Sequence, residues 1–211
     1  IAAHPGLVNS VALEYTWRLG PDTTRLVQSR FYPELPFTSR RPAEHISMGG
    51  GVLPELTHRQ VRVANGATDA SLIRAAVERV RELIDRAELT TAAGTRRLTD
   101  EDVAVVVPHV PQAAAVRAML STHPGVLVGT ADALQGLERP AVVAVHPLSG
   151  KRVADEFSVK PGRLCVMLSR HRCHLSVLID DQTDAVLAAA EGEAVEQAHS
   201  VLADLLATRQ F

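Results

Sequence analysis

Val128-Gly129-Thr130-Ala131-Asp132-Ala133-Leu134-Gln135-Gly136-Leu137-Glu138 leads, after Arg139-Pro140, into Ala141-Val142-Val143-Ala144-Val145. The stretch reads as a strand over Val126 to Val128, a Gly-Thr turn, and a second strand over Ala141 to Val145. The second strand is apolar at every position. A half-exposed strand alternates, whereas a run without polar interruption is buried on both faces, as in a parallel sheet covered by helices. Val103 to Val107, ended by Pro108, has the same character. Gln60 to Ala64 is a shorter alternating strand and Leu175 to Ile179 a last one.

Helical periodicity fills the gaps between these runs. Asp69 can cap a helix in which Leu72, Ile73, Ala76, Val77, Val80, Leu83 and Ile84 share one face, with Arg and Glu opposite. Pro111 opens a helix carrying Ala115, Val116, Met119 and Leu120. Leu164 to Leu168, Ala185 to Ala190 and Ala194 to Leu206 are further helices. Strands alternating with helices predict a mostly parallel α/β sheet flanked by helices. No internal repeat is visible.

The first quarter of the chain is less regular. Leu7 to Tyr15 suits a short helix, Gly20-Pro21 interrupts, and Pro33, Pro36 and Pro42 punctuate the next stretch. Gly49-Gly50-Gly51, inside Ser47 to Pro54, reads as a linker within the domain or a disordered loop. The expected division is an irregular segment over 1–59 and an α/β domain over 60–211.

The chain of 211 residues is 46 % apolar but only 3 % aromatic, so its core is aliphatic. The net charge of −2 provides no global basic field, so any nucleic-acid surface is local. Lys151 and Lys160 are the only lysines among many arginines, which with the Ala and Val content suggests a GC-rich, bacterial source. Cys165 and Cys173 have no metal-type spacing, and no second pair completes a zinc site with His171 and His174, so no metal centre is expected. No apolar run reaches the length of a membrane span, and no signal peptide is visible. With a first residue Ile1 rather than Met, the chain is expected to be part of a longer cytoplasmic protein.

Several stretches together resemble superfamily 1 helicases. Val128 to Glu138 with the strand after it is similar to the family's motif V. Gly162-Arg163-Leu164-Cys165-Val166-Met167-Leu168-Ser169-Arg170-His171-Arg172 is similar to motif VI. Tyr15-Thr16-Trp17-Arg18-Leu19-Gly20-Pro21, with Phe31-Tyr32 beyond it, resembles the Tyr-Arg-Met-His-Pro … Phe-Tyr segment of the branch that includes the nonsense-mediated-decay RNA helicase, with Leu19-Gly20 in place of Met-His. Val107-Pro108-His109 and Gln112 resemble that branch's Thr-Pro-Tyr-x-x-Gln turn, with His109 for Tyr. All occur in the family's order, over residues 15 to 172. The resemblance implies the family's second RecA-like domain, of P-loop-NTPase type. The chain contains no G-x-x-x-x-G-K-[S/T] loop. In the family that loop and the magnesium-binding acids lie on the first RecA-like domain.

For individual residues the resemblance implies a split ATP site. Arg170 is the leading arginine finger and Arg18 the second. Gln135 and Gly136 approach the phosphates, Gly136 because it has no Cβ, and Glu138 accepts from the ribose. Arg163 and Arg172 support the site. Thr130, Pro108, His109 and Gln112 contact single-stranded nucleic acid at strand ends, and His109 can stack on a base. ATP and Mg2+ are the implied cofactors, held chiefly by the first RecA-like domain, which is a partner alongside DNA or RNA. Arginine suits this work because phosphoryl transfer spreads negative charge over the γ-phosphate oxygens, and a guanidinium offers a permanent charge in a planar fork. Each residue also has a structural alternative: an ion pair for Arg170 and Arg18, an ordinary turn for Gln135-Gly136, a solvated carboxylate for Glu138, a backbone cap for Thr130. The competing functional readings are a degenerate RecA-like scaffold that binds nucleic acid or protein, and a nucleotide-dependent transferase.

Overall fold

The computed structural model describes residues 14–211. Most of the helix expected over Leu7 to Tyr15 lies outside them; Tyr15 itself opens a strand. The elements in chain order are β1 (Tyr15–Thr16), α1 (Pro21–Phe31), β2 (Thr38–Ser39), β3 (His45–Met48), β4 (Gly51–Val52), β5 (Leu56–Val61), α2 (Ala70–Arg86), β6 (Ala87–Thr91) and β7 (Gly94–Arg97). After a 3-10 turn at Asp100–Asp102 come β8 (Val103–Val107), α3 (Val110–Met119), β9 (Leu127–Thr130), β10 (Arg139–Val145), α4 (Glu156–Val159), α5 (Pro161–Leu168), β11 (His171–Asp180), α6 (Thr183–Ala188), α7 (Glu193–Leu206) and β12 (Arg209–Gln210).

The two apolar runs lie inside the main sheet, as their composition requires. Six strands pair in the order β12-β5-β11-β10-β8-β9, every pair parallel. Within the unbroken runs the side chains still alternate. Val103, Val105, Val107, Ala141, Val143 and Val145 pack in one core cluster with Leu72, Val80, Leu83 and Val116 of α2 and α3. Ala104, Val106, Val142 and Ala144 pack in the other with Leu164, Met167, Leu202 and Leu205 of α5 and α7. Two dry faces thus explain why neither run contains a polar residue. The α2 stripe behaves as its spacing predicts: Leu72, Ala76, Val80 and Leu83 are fully buried, and Asp69 caps the helix by accepting from the Ser71 amide at 2.8 Å.

The segment before residue 60 is more ordered than its prolines suggest. Gly20-Pro21 is the start of α1, not a break: Pro21 occupies the first turn, where its missing N–H costs nothing. Gly49 and Gly50, at φ +62° and +82°, form the two-residue turn of the β3–β4 hairpin, in which Met48 faces Gly51. Two consecutive left-handed positions are what such a turn demands, so the glycines serve a fixed turn and not a linker. That hairpin joins β6 and β7 in a four-stranded antiparallel sheet, β4-β3-β6-β7. The first strand of the main sheet, β5, begins at Leu56 and ends at Val61, earlier than the expected Gln60 to Ala64.

Candidate functional site

In a parallel sheet all strands enter at one end and leave at the other, and the predicted residues fall at both. Arg18, Glu138 and Arg170 gather where β10 and β11 begin. Arg139 pairs with His171 across those two strands, and the Arg139 amide donates to the Arg170 carbonyl at 3.1 Å, which pins Arg170 to the sheet. Thr130, Pro108 and His109 lie where β9 and β8 end. The β9–β10 connection, with Gln135 and Gly136 both exposed, runs between the two ends. Gly136 has φ +81°, a backbone state that favours glycine.

Arg170 is only 8 % exposed. Its Nε donates to the Val166 carbonyl at 3.0 Å and its Nη2 to Ser169 Oγ at 3.1 Å, both at the end of α5. Among the described residues no carboxylate lies within 4.0 Å of it. Burial, with the charge of Arg18 beside it, pulls its pKa below the usual guanidinium value. Arg18 sits in the turn from β1 to α1, where Thr16 Oγ1 accepts from the Arg18 and Leu19 amides, both at 3.4 Å. The Arg18 Nε lies 3.8 Å from Glu138, with both side chains more than a third exposed. That distance makes a loose pair and leaves the Arg18 Nε without a hydrogen-bond partner among the described residues.

Two further groups at this end carry no motif signature. Arg41, nearly buried, approaches Glu55 at 3.8 Å, and its Nε and Nη1 have no hydrogen-bond partner among the described residues. Glu55 is occupied elsewhere: its Oε2 accepts from the Asp22 amide at 3.1 Å and the Thr23 amide at 3.0 Å, capping α1 from a distant point in the chain. A Cβ on Gly20 would fall 2.0 Å from Glu55 Oε1, so a larger residue there would push the Glu55 carboxylate off its capping position. Behind them, His171 is fully buried, its Nε2 in contact with Thr23 Oγ1 at 2.8 Å. Burial, reinforced by His174, Arg41 and Arg18, pulls its pKa down to about 3, so it adds no charge. The sum is a cluster in which Arg18, Arg41 and Arg170 outweigh Glu55 and Glu138. Trp17, beside Arg18, is 66 % exposed in a chain with few aromatics.

At the other end of the sheet the roles differ from residue to residue. Thr130 Oγ1 accepts from the Ala133 amide at 3.3 Å, so its hydroxyl caps the next turn. Pro108 and Gln112 are buried. The Gln112 Oε1 accepts from the His109 amide at 3.1 Å and its Nε2 donates to the Ala67 carbonyl. With both ends engaged inside the protein, Gln112 ties the β5–α2 loop to α3 and positions His109; it has no free group for a direct nucleic-acid contact. His109 is half-buried, and its ring stacks on Phe157 with centroids 5.3 Å apart and 15° between planes. Arg163 is at this end too: its guanidinium lies 3.7 Å over Phe157 and its Nη1 is 3.3 Å from Asp132. Arg172, the second residue of β11, is half-buried at the sheet end of the arginine cluster, and its charge reaches Cys173 together with that of Arg41. Phe157 and Arg41 are invisible to motif reading; an isolated aromatic between two lysines is the one sequence signal for Phe157.

No helix among the described residues is long and apolar enough to cross a membrane, and no group of three or more His, Cys, Asp or Glu among them could hold a metal ion.

Comparison with known proteins agrees with this architecture. The chain is 31 % identical over 83 residues to the DNA-binding protein SMUBP-2 of Mesocricetus auratus and, to the same extent, of Rattus norvegicus. The match covers 39 % of this chain and 8 % of each relative, so the chain spans a small part of their length. The C-terminal domain of a possible DNA helicase from Lactobacillus plantarum WCFS1 superposes with a TM-score of 0.50 at 11 % identity, over 92 % of this chain and 98 % of that one, a likeness of fold. A family model described as "AAA domain" matches residues 5–182. The chain belongs to that family, the C-terminal RecA-like domain of superfamily 1 helicases of the branch that includes the nonsense-mediated-decay RNA helicase.

Proposed function

We propose that this chain is the second half of an ATP-driven motor that translocates on or unwinds nucleic acid, and that it supplies arginines to an ATP site shared with a first RecA-like domain. The observation that carries the reading is Arg170: nearly buried, held at the sheet end by its own helix, beside a second arginine, and with no carboxylate of its own. A buried guanidinium whose carboxylate neighbour, Glu138, stays beyond ion-pair distance is costly unless a closer anion completes it. A polyphosphate fits that need, and the unpartnered nitrogens of Arg18 and Arg41 fit it as well. Arg170 and Arg18 would hold the terminal phosphates, with Glu138 toward the ribose and the Gln135-Gly136 turn against the phosphate chain. ATP, when bound with Mg2+ on the first domain, supplies the phosphoryl group whose transfer to water releases energy. The two arginines act only when the cleft is shut, because they ride on a separate domain. Single-stranded nucleic acid is the partner at the opposite sheet end, in keeping with the DNA-binding name of the mammalian relatives.

The test is the ATPase of the full-length protein with and without single-stranded DNA or RNA. Stimulated turnover is expected, and it should fall at least tenfold in Arg18→Ala, about 1.4 kcal/mol of barrier. Absence of any turnover with either nucleic acid, in a protein with an intact first domain, overturns the reading.

A further inference from the structure

Phe157 is an aromatic side chain left 38 % exposed where β8, β9 and β10 end, in a chain with only four phenylalanines. Three residues from three other segments converge on its ring. His109, from the start of α3, stacks on it; the Arg163 guanidinium from α5 lies 3.7 Å from its centroid; the Lys151 ammonium, from the loop after β10, lies 5.7 Å away. The chain's only two lysines, Lys151 and Lys160, bracket the α4 segment that carries Phe157, and Arg152 is exposed beside them. Carboxylates are present as well: Asp155 pairs with Lys151, Asp132 with Arg163 and Asp180 with Arg152. Yet the Nε of Arg163 and the Oγ of Ser158 are buried with no partner among the described residues. Burial, then the charge of Lys151, lowers the pKa of His109, so the imidazole in the stack is neutral at pH 7.

We propose that the His109–Phe157 stack, with the Arg163 guanidinium packed on the Phe157 ring, is a platform for one nucleobase of a bound single strand, with Lys151 facing a phosphate beside it. The inference rests on the nucleic-acid reading above and adds a binding residue that no motif marks. A flat, partly exposed aromatic pile rimmed by cations is the arrangement that recognises a base and its backbone together, because every base has a π-face whatever its sequence. An acidic peptide would use the cations and leave the pile unexplained. Gln112, by holding the His109 amide, and Asp132, by holding Arg163, keep the platform in shape.

The experiment measures affinity of the full-length protein for a fluorescent single strand, intact or with a run of abasic sites, across a salt series. Phe157→Leu keeps bulk and apolarity but removes the π-face; Phe157→Trp keeps it. Phe157→Leu should weaken binding of the intact strand roughly 5- to 150-fold, as loss of one stacked base does. Its salt slope should be unchanged, and Phe157→Trp should bind like wild type. Wild type should lose a similar factor on the abasic strand, and Phe157→Leu should not distinguish the two strands. Lys151→Ala should weaken both strands alike and reduce the salt slope by about 0.7. Equal wild-type affinity for intact and abasic strands, or normal binding by a folded Phe157→Leu variant, overturns the stacking site and leaves the nucleic-acid reading standing. If wild type binds neither strand at low salt, both fall.

Discussion

Replacing Arg170 separates a chemical role from a structural one, because the contacts that hold it are few and local. Its side chain makes two hydrogen bonds, both to the end of its own helix α5. Arg170→Ala removes these at about 1 kcal/mol each. It also relieves the repulsion with Arg18, set against the loss of a longer-range attraction to Glu138, and no ion pair is broken, since no described carboxylate is within 4.0 Å. The net cost in stability is therefore roughly 1–3 kcal/mol, or on the order of 2–12 °C in Tm for a domain of this size. If Arg170 stabilises charge on the transferring phosphoryl group, the same change should lower the ATPase rate of the full-length protein by roughly 10³–10⁵, about 4–7 kcal/mol of barrier.

Arg170→Lys sharpens the comparison. An ammonium preserves the charge, but as a single point it cannot donate to the Val166 carbonyl, Ser169 and a phosphate in one plane. Its rate should stay within about tenfold of the alanine variant's. A structural role predicts the reverse, a large fall in Tm for alanine and partial rescue by lysine with turnover intact. Steady-state ATPase and thermal melting on the two variants decide. Near-normal turnover in Arg170→Ala refutes the assignment of the finger.

The 211-residue chain alone should not hydrolyse ATP measurably, since neither of its lysines stands in a phosphate-binding loop; brisk turnover by purified chain that Arg170→Ala abolishes would contradict the shared-site reading. Acid should unfold the domain early. Burial pulls His171 down to about 3 and His146 and His174 to about 4, below the unfolded value near 6.5. Their contribution is present above that unfolded value and drains as the pH falls toward the folded ones, at about 2 kcal/mol per histidine between pH 7 and 5. Urea unfolding at the two pH values measures it, and equal stabilities would show that the histidines are not buried neutral. Glu55→Ala should cost about 1–2 kcal/mol and raise hydrogen exchange at the Asp22 and Thr23 amides, which lose their acceptor; unchanged exchange there means that α1 is capped otherwise.

The parts of the fold legible in the sequence are those in which chemistry is local. Val103 to Val107 and Ala141 to Val145 declare two-sided burial by composition alone, and Asp69 with the α2 stripe declares a capped amphipathic helix. Gly49-Gly50 is ambiguous in sequence because a flexible linker and a two-residue hairpin turn both want glycine; only the pairing of Met48 with Gly51 decides. Gly20-Pro21 is ambiguous because its cap comes from Glu55, far along the chain. At the site, motif order singles out Arg18, Glu138 and Arg170, which the fold then brings to one sheet end, but no spacing rule distinguishes a buried Gln112 from an exposed one. Arg41 and Phe157 acquire meaning only when β5, α3, α4 and α5 are brought together.

The helix α5 connects the two ends of the sheet, and its packing restricts how they can communicate. Arg163 lies near its first turn, at the Phe157 stack, and Arg170 stands just past its end, at the arginine cluster. Eight residues of α-helix span roughly 12 Å. Leu164, Met167 and Leu168 anchor the helix in a core shared with Val142 and Ala144 of β10 and Leu202 and Leu205 of α7. Sliding α5 would open that core, and each buried leucine side chain resists with about 1.5–3 kcal/mol of burial. A short helix so anchored holds the distance between its two arginines fixed. On the proposed function, ATP is then felt at the strand-facing end through rotation of the domain as a rigid body and not through deformation inside it. On that same proposal, closure that brought Arg170 to a phosphate would carry the Phe157 platform along in the same movement.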